Sequence, residues 1–307
     1  MRVLVLGGNG FIGSHLVDKL LIEGHSVRVF DKSDEHYRSP LKGIEYSLSE
    51  FGNRGLLLEA LTDIDVVVHL ISTTLPKTSN DDVVFDVQSN VIETLFLLEQ
   101  CVSKKIKKII FTSSGGTVYG IPETLPVVEE NQTNPICSYG ICKLAIEKYL
   151  SLFKELYSLD YTIIRPSNPF GPRQNPFGIQ GAIPVFLGNI AKNKPIQIWG
   201  SGDIVRDFIF VEDLVDAIYN SIIYNTSSSI FNIGSGQGTS LNNLLNIMRS
   251  VIKKDFSIVY SNERKYDVPE IYLDISKAER ELFWKPKTSL EQGINYTWDF
   301  IRSISNK

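Results

Sequence analysis

The chain has 307 residues, 43% of them hydrophobic, and a net charge of −4. That length supports a large core, as one large domain or two closely joined ones, and the charge leaves no basic surplus for nucleic acid. Cys101, Cys137 and Cys142 are scattered, with neither a disulfide framework nor metal spacing, which suits a reducing cytosol. The first residues run straight into a strand, so no signal peptide is expected. No apolar run approaches the ~20 residues that cross a membrane, so a cytoplasmic protein without a membrane partner is expected.

Arg2 to Leu6 reads as a short apolar strand, followed by a helix from about Phe11 to Glu23. Between them Gly7, Gly10 and Gly13 are spaced three apart. In a dinucleotide site the first permits a tight turn, the second lets a pyrophosphate approach, and the third lets helix pack on sheet. The helix N-terminus, at Phe11 and Ile12, then faces the phosphates. A second strand, Ser26 to Phe30, ends at Asp31, about 20 residues on, where a carboxylate accepts hydrogen bonds from a ribose. Asp31 repels a 2′-phosphate and favours NAD; the adjacent Lys32, with Arg38, leaves NADP open.

Ile44 to Leu48 reads as a third strand, Arg54 to Leu61 as a helix, and Asp65 to Leu70 as a fourth strand. The strand end at Leu70 and the following loop, with Ser72, either line the cofactor or are simply solvated. A long helix, Asp82 to Ser103, carries Asn90 among apolar neighbours, bonding backbone or fixing the strand loops near the ribose. A fifth strand, Ile109 to Thr112, ends in hydroxyls and glycines, and Tyr161 to Arg165 forms a sixth. This alternation predicts an α/β, Rossmann-type doubly wound parallel sheet. After Arg165 proline and glycine punctuate the chain and alternation lapses. The expected division is a dinucleotide-binding domain over 1–167 and a smaller mixed α/β region over 168–307, partly interleaved with it.

Tyr139 and Lys143 lie four apart on an amphipathic helix and share a face. A free tyrosine has a pKa of about 10, and bringing it near 7 takes roughly 4 kcal/mol. One ammonium ~4 Å away supplies about 4 kcal/mol at an effective dielectric of about 20. Burial opposes this, so the pair makes most sense beside an oxidised nicotinamide, also positive.

The sequence resembles an extended short-chain dehydrogenase/reductase, most like the nucleotide-sugar 4-epimerases of the UDP-galactose 4-epimerase type. Gly7, Gly10 and Gly13 match the glycine fingerprint, Asp31 the ribose acid, and Tyr139 with Lys143 the Tyr-x-x-x-Lys pair. The resemblance implies substrate contacts at Asn168 and Arg173, a phosphate contact at Arg206, and phosphate and uridine-ribose contacts at Arg264 and Asp267. It further implies tightly bound NAD, a UDP-hexose substrate, no metal, a homodimer, and a place in polysaccharide synthesis. Three departures stand out. Gly115 occupies a position often held by a hydroxyl residue, leaving Ser114, slightly preferred, or Thr117 to bond the sugar's 4-oxygen. Glu50 stands where an adenine-contacting aspartate is usual, and Tyr266 replaces a usual glycine. Residues expected of a 4,6-dehydratase are missing at the strand end. The rival enzyme reading is a nucleotide-sugar 4-ketoreductase. The rival from another class is a non-catalytic dinucleotide-sensing protein, against which Tyr139 and Lys143 count.

Overall fold

The apolar strands of the first half are buried on both faces: Val3 to Leu6, Val66 to Val68 and Ile109 to Phe111 are almost wholly shielded. Such runs fit the interior of a parallel sheet covered on both sides. The structure, a computed structural model, describes residues 1–226, 229–262 and 268–305. The chain runs β1 (Arg2–Leu6), α1 (Phe11–Ile22), β2 (Ser26–Asp31), β3 (Glu45–Leu48), α2 (Arg54–Ala60) and β4 (Val66–His69). Then come α3 (Val83–Asp86), a π-helical stretch (Val87–Ile92), α4 (Glu93–Ser103), β5 (Lys108–Thr112), α5 (Ser138–Tyr157) and β6 (Asp160–Pro166). The second half carries β7 (Asn168–Phe170), α6 (Ala182–Ala191), β8 (Ile196–Trp199), β9 (Val205–Arg206), β10 (Phe208–Phe210) and α7 (Val211–Ile223). It ends with β11 (Ile230–Ile233), β12 (Thr239–Ser240), α8 (Leu241–Ile252), β13 (Ile258–Ser261), β14 (Glu270–Ile271), α9 (Ser276–Glu281) and α10 (Leu290–Ser305).

Seven strands form one sheet in the order β11-β6-β5-β4-β1-β2-β3, and every pairing is parallel. This is the doubly wound Rossmann-type arrangement. Helices α1 and α7 pack one face, with Leu16, Val17 and Leu20 in the same core as Leu214, Val215 and Ile218. Helices α2, α4 and α5 cover the other, through Leu57, Leu97, Leu98, Ile146 and Leu150. The last strand, β11, comes from beyond residue 167, so the C-terminal half completes the sheet of the first. A third core, among α6, α8 and α10, holds the remaining C-terminal region together. The helix expected over Asp82 to Ser103 is helical throughout 83–103 but interrupted by the π-helical stretch.

Two histidines are buried without charge. His69, at the end of β4, contacts Thr94 Oγ1 at 3.0 Å, and His15 on α1 contacts the Pro172 carbonyl at 3.0 Å. Burial pulls their pKa values down to about 3 and about 4 respectively. Unfolded imidazoles protonate near pH ~6.5, so below that pH the unfolded state binds more protons and stability falls with falling pH. Each histidine contributes a loss of about 1.4 kcal/mol per pH unit until its folded pKa is reached. Urea midpoints are therefore expected to be clearly lower near pH ~5 than near pH ~7.5.

Candidate active site

The turn after β1 is built for close approach. Gly7 has φ +86°, a left-handed conformation that favours glycine. A Cβ on Gly13 would lie 2.0 Å from the Gly7 carbonyl oxygen and 2.7 Å from the Gly8 Cα, so α1 seats directly on the turn only because Gly13 lacks one. A Cβ on Gly10 would meet only the Gly7 oxygen, at 3.3 Å, leaving a cradle above the turn. Helix α1 begins with no side-chain cap on its amides, so its N-terminus, at the half-buried Phe11 and Ile12, offers donors to an anion. At the end of β2, Asp31 accepts from the Asn9 and Ser33 amides, each at 3.0 Å, which holds its carboxylate beside the turn. Lys32 is exposed next to it. Arg38 is engaged by Asp18 and by Glu35, at 3.4 Å, rather than held out for a 2′-phosphate. Glu50, Phe51 and Gly52 line an open pocket of about 290 Å³ with Phe85 and Gln88. These features fit a bound NAD. Gly13→Ala is expected to push α1 off the turn and to abolish NAD retention. The check is the nucleotide released by heating purified protein.

Tyr139 and Lys143 stand on the first turns of α5, against the end of β5. The Lys143 ammonium donates to the Thr112 carbonyl at 2.9 Å and lies 5.5 Å from the centre of the Tyr139 ring and 4.8 Å from that of Phe111. Burial lowers the Lys143 pKa to about 8, with Asp86 opposing the shift. At the phenol, burial outweighs the pull of the Lys143 ammonium. Burial pushes the Tyr139 phenol well above its ordinary value, and Cys137 and Asp86 push it further. Within the protein alone the phenol is therefore protonated, and its ionisation requires a further positive charge.

The hydroxyls are distributed differently from the expectation. Ser72 lies near the phenol and slightly favours its ionisation; its hydroxyl donates to the Thr74 carbonyl at 3.1 Å. Thr117 Oγ1 is buried with no hydrogen-bond partner among the described residues, whereas Ser114 is half-buried. Gly115 is crowded: its Cβ would lie 2.6 Å from Leu273 Cδ1 and 3.0 Å from the Arg165 carbonyl oxygen, so a hydroxyl residue there would require Leu273 to move.

Asn90 is buried in the π-helical stretch. Its side chain accepts from the Thr73 amide at 3.0 Å and donates to Thr73 Oγ1 at 2.7 Å, so it fixes the loop after β4. Leu70, half-buried, packs against the core on the α1 face.

Asn168 begins β7 and donates to the Asp207 carbonyl at 2.9 Å. Arg206 is half-buried and donates to the carbonyls of Val205 and Val268, at 2.8 and 2.6 Å. Arg173 pairs with Asp18 of α1 at 2.8 Å, beside Arg38. Arg264, Tyr266 and Asp267 lie outside the described residues.

Three buried acids organise this site and were not singled out from sequence. Glu147, one turn beyond Lys143, accepts from Ser113 Oγ at 2.5 Å and from Arg165 at 3.0 and 2.6 Å. Arg165 continues to the Tyr119 hydroxyl at 2.7 Å, which donates to Asn232 at 2.7 Å. Asp207 accepts from Ser235, Ser167 and the Leu273 amide, joining the segments after β6 and β11 to the 273 loop. Asp86 lies behind Tyr139 and Lys143 and accepts from both Ser138 and Cys142. The signal for Glu147 was its place at the i+4 position from Lys143.

The parallel sheet, the glycine turn and the Tyr–Lys pair define a dinucleotide-binding protein of the dehydrogenase type. The chain belongs to the NAD dependent epimerase/dehydratase family, which residues 3–234 match. It is 35% identical to the UDP-glucose 4-epimerase of Mycolicibacterium smegmatis over 99% of this chain and 100% of that one. It is 34% identical to the dTDP-4-dehydro-6-deoxyglucose reductase of Escherichia coli, covering 99% and 98%. The crystal structure of UDP-glucose 4-epimerase from Thermotoga maritima with UDP-glucose has a TM-score of 0.94 and 35% identity, covering 99% of both chains.

Proposed function

We propose that this protein is a nucleotide-sugar 4-epimerase that interconverts UDP-hexoses through a 4-keto intermediate and retains its NAD. The carrying observation is the placement of Tyr139 and Lys143 against the hydroxyl-rich end of β5, in a chain whose glycine turn and Asp31 fit NAD. When bound, NAD supplies reversible hydride acceptance and a positive ring. Tyr139 takes the proton from the C4 hydroxyl and later returns it. Lys143 holds the nicotinamide ribose and favours the phenolate. Thr117, with a buried hydroxyl that has no partner among the described residues, or Ser114 bridges the phenol and the 4-oxygen. Arg206, with Arg264, holds the diphosphate while the ketose turns over, and Asn168 and Asp267 hold the nucleotide. Purified protein given UDP-galactose and no added NAD is expected to form UDP-glucose. No interconversion of any UDP-hexose, even with NAD added, would overturn the proposal.

A second reading is a 4-ketoreductase, favoured by the 34% identity to the Escherichia coli reductase. It would consume reduced nicotinamide stoichiometrically with a dTDP-4-keto-6-deoxyhexose, seen as loss of its absorbance.

The protein is further proposed to act as a cytoplasmic homodimer in polysaccharide synthesis. Val84 and Phe85 near the start of α3 and Leu152 and Leu156 on α5 are exposed apolar side chains on neighbouring helices, a surface that suits burial against a second copy. Three free cysteines fit a reducing compartment. Among the described residues no helix is long and apolar enough to cross a membrane.

A further inference from the structure

Asp86 is fully buried at the end of α3. One carboxylate oxygen accepts from Thr74 Oγ1 at 2.5 Å and from Asn90 Nδ2 at 2.9 Å. The other accepts from Ser138 Oγ at 2.6 Å and from the Cys142 thiol at 3.4 Å. Ser138 and Cys142 immediately precede Tyr139 and Lys143, and Thr74 belongs to the same loop as Ser72, which lies near the phenol. One carboxylate thus ties the loop after β4, the π-helical stretch and the first two turns of α5 into a single unit. Resting on the epimerase reading, we propose that Asp86 is a positioning residue, anchoring Tyr139 and Lys143 and serving as the buried counter-charge of the Lys143 ammonium.

The donors Thr74, Asn90 and Ser138 are neutral. The titratable groups around Asp86 are Tyr139, Lys143, Cys137 and Cys142; Glu147 adds negative charge to Lys143 from one turn further along α5. Burial works against the ammonium, and among the influences that oppose burial Asp86 is the largest. The same charge makes the phenol harder to ionise. Asp86 therefore keeps Lys143 charged at neutral pH at the expense of the phenolate.

Asp86→Asn keeps the shape and removes the charge. Both limbs of the kcat–pH profile for UDP-galactose are expected to move down by about one pH unit, Tyr139 setting the acid limb and Lys143 the alkaline one. A role confined to packing would lower kcat at every pH with the limbs in place, and that result would overturn the proposal. A substrate-free readout separates this from failure of the epimerase reading. In NAD-loaded protein, the phenolate absorbance difference between Asp86→Asn and Asp86→Asn/Tyr139→Phe isolates Tyr139, and its midpoint is expected below that of the wild-type and Tyr139→Phe pair. Wild type inert on UDP-galactose would remove the epimerase reading, while this titration would still decide the role of Asp86, an unmoved midpoint refuting it. Should Asp86→Asn not fold, Asp86→Ser also removes the charge while keeping a hydrogen-bonding group at the same place. Both limbs moving down supports the proposal; limbs left in place contradict it.

Discussion

Tyr139→Phe is expected to lower kcat on a UDP-hexose by about a thousandfold while NAD stays bound. The substitution removes only the atom that takes and returns the C4 proton. The ring keeps its place beside Lys143, whose ammonium remains on the Thr112 carbonyl. Neither the glycine turn nor Asp31 is touched, so the nucleotide released on heating should match wild type. Initial rates with UDP-galactose and quantification of that nucleotide check both halves. Loss of NAD along with activity would instead make Tyr139 a packing residue.

Glu147→Ala is expected to destabilise the protein by about 3–5 kcal/mol. The Glu147–Arg165 pair is almost wholly buried, with side chains 2% and 3% exposed. Removing the carboxylate leaves the Arg165 guanidinium uncompensated between β6 and α5 and frees Ser113 at the end of β5. Breaking one half of such a pair costs more than replacing both halves by apolar groups. The double variant Glu147→Leu/Arg165→Met should therefore be more stable than Glu147→Ala in urea titrations. Equal loss in the two would show that packing volume, not the stranded charge, dominates.

Much of the sheet was legible because its signals are local. Apolar runs of four to six residues, the Gly7–Gly10–Gly13 spacing and the i, i+4 placement of Tyr139 and Lys143 depend on neighbours in sequence. The groups that hold the site in shape do not. Ser138 and Asp86 are 52 residues apart, Ser113 and Glu147 are 34 apart, and Leu273 and Asp207 are 66 apart. Each partnership exists only after the sheet has brought distant strand ends together. The short strand β11 was missed for the same reason: the stretch between β6 and α7 hides the strand–helix–strand unit that it closes. Weighing charge at Tyr139 allowed for burial but not for Asp86, which also opposes ionisation of the phenol and which no spacing in the sequence announces.

The hydroxyl partner of the phenol shows a similar limit. The slight preference for Ser114 rested on the family resemblance; the two residues are both half-buried, and what distinguishes Thr117 is its enclosed Oγ1. Gly115 became intelligible only with Leu273, 158 positions along the chain, filling the space beside it.

The account turns on a C4 hydrogen that leaves the sugar and comes back to the same carbon. UDP-galactose carrying deuterium at C4 should yield UDP-glucose that keeps the deuterium at C4, in ordinary water and with no nicotinamide added. Product with protium at C4, or turnover only when reduced nicotinamide is supplied and consumed, would contradict it.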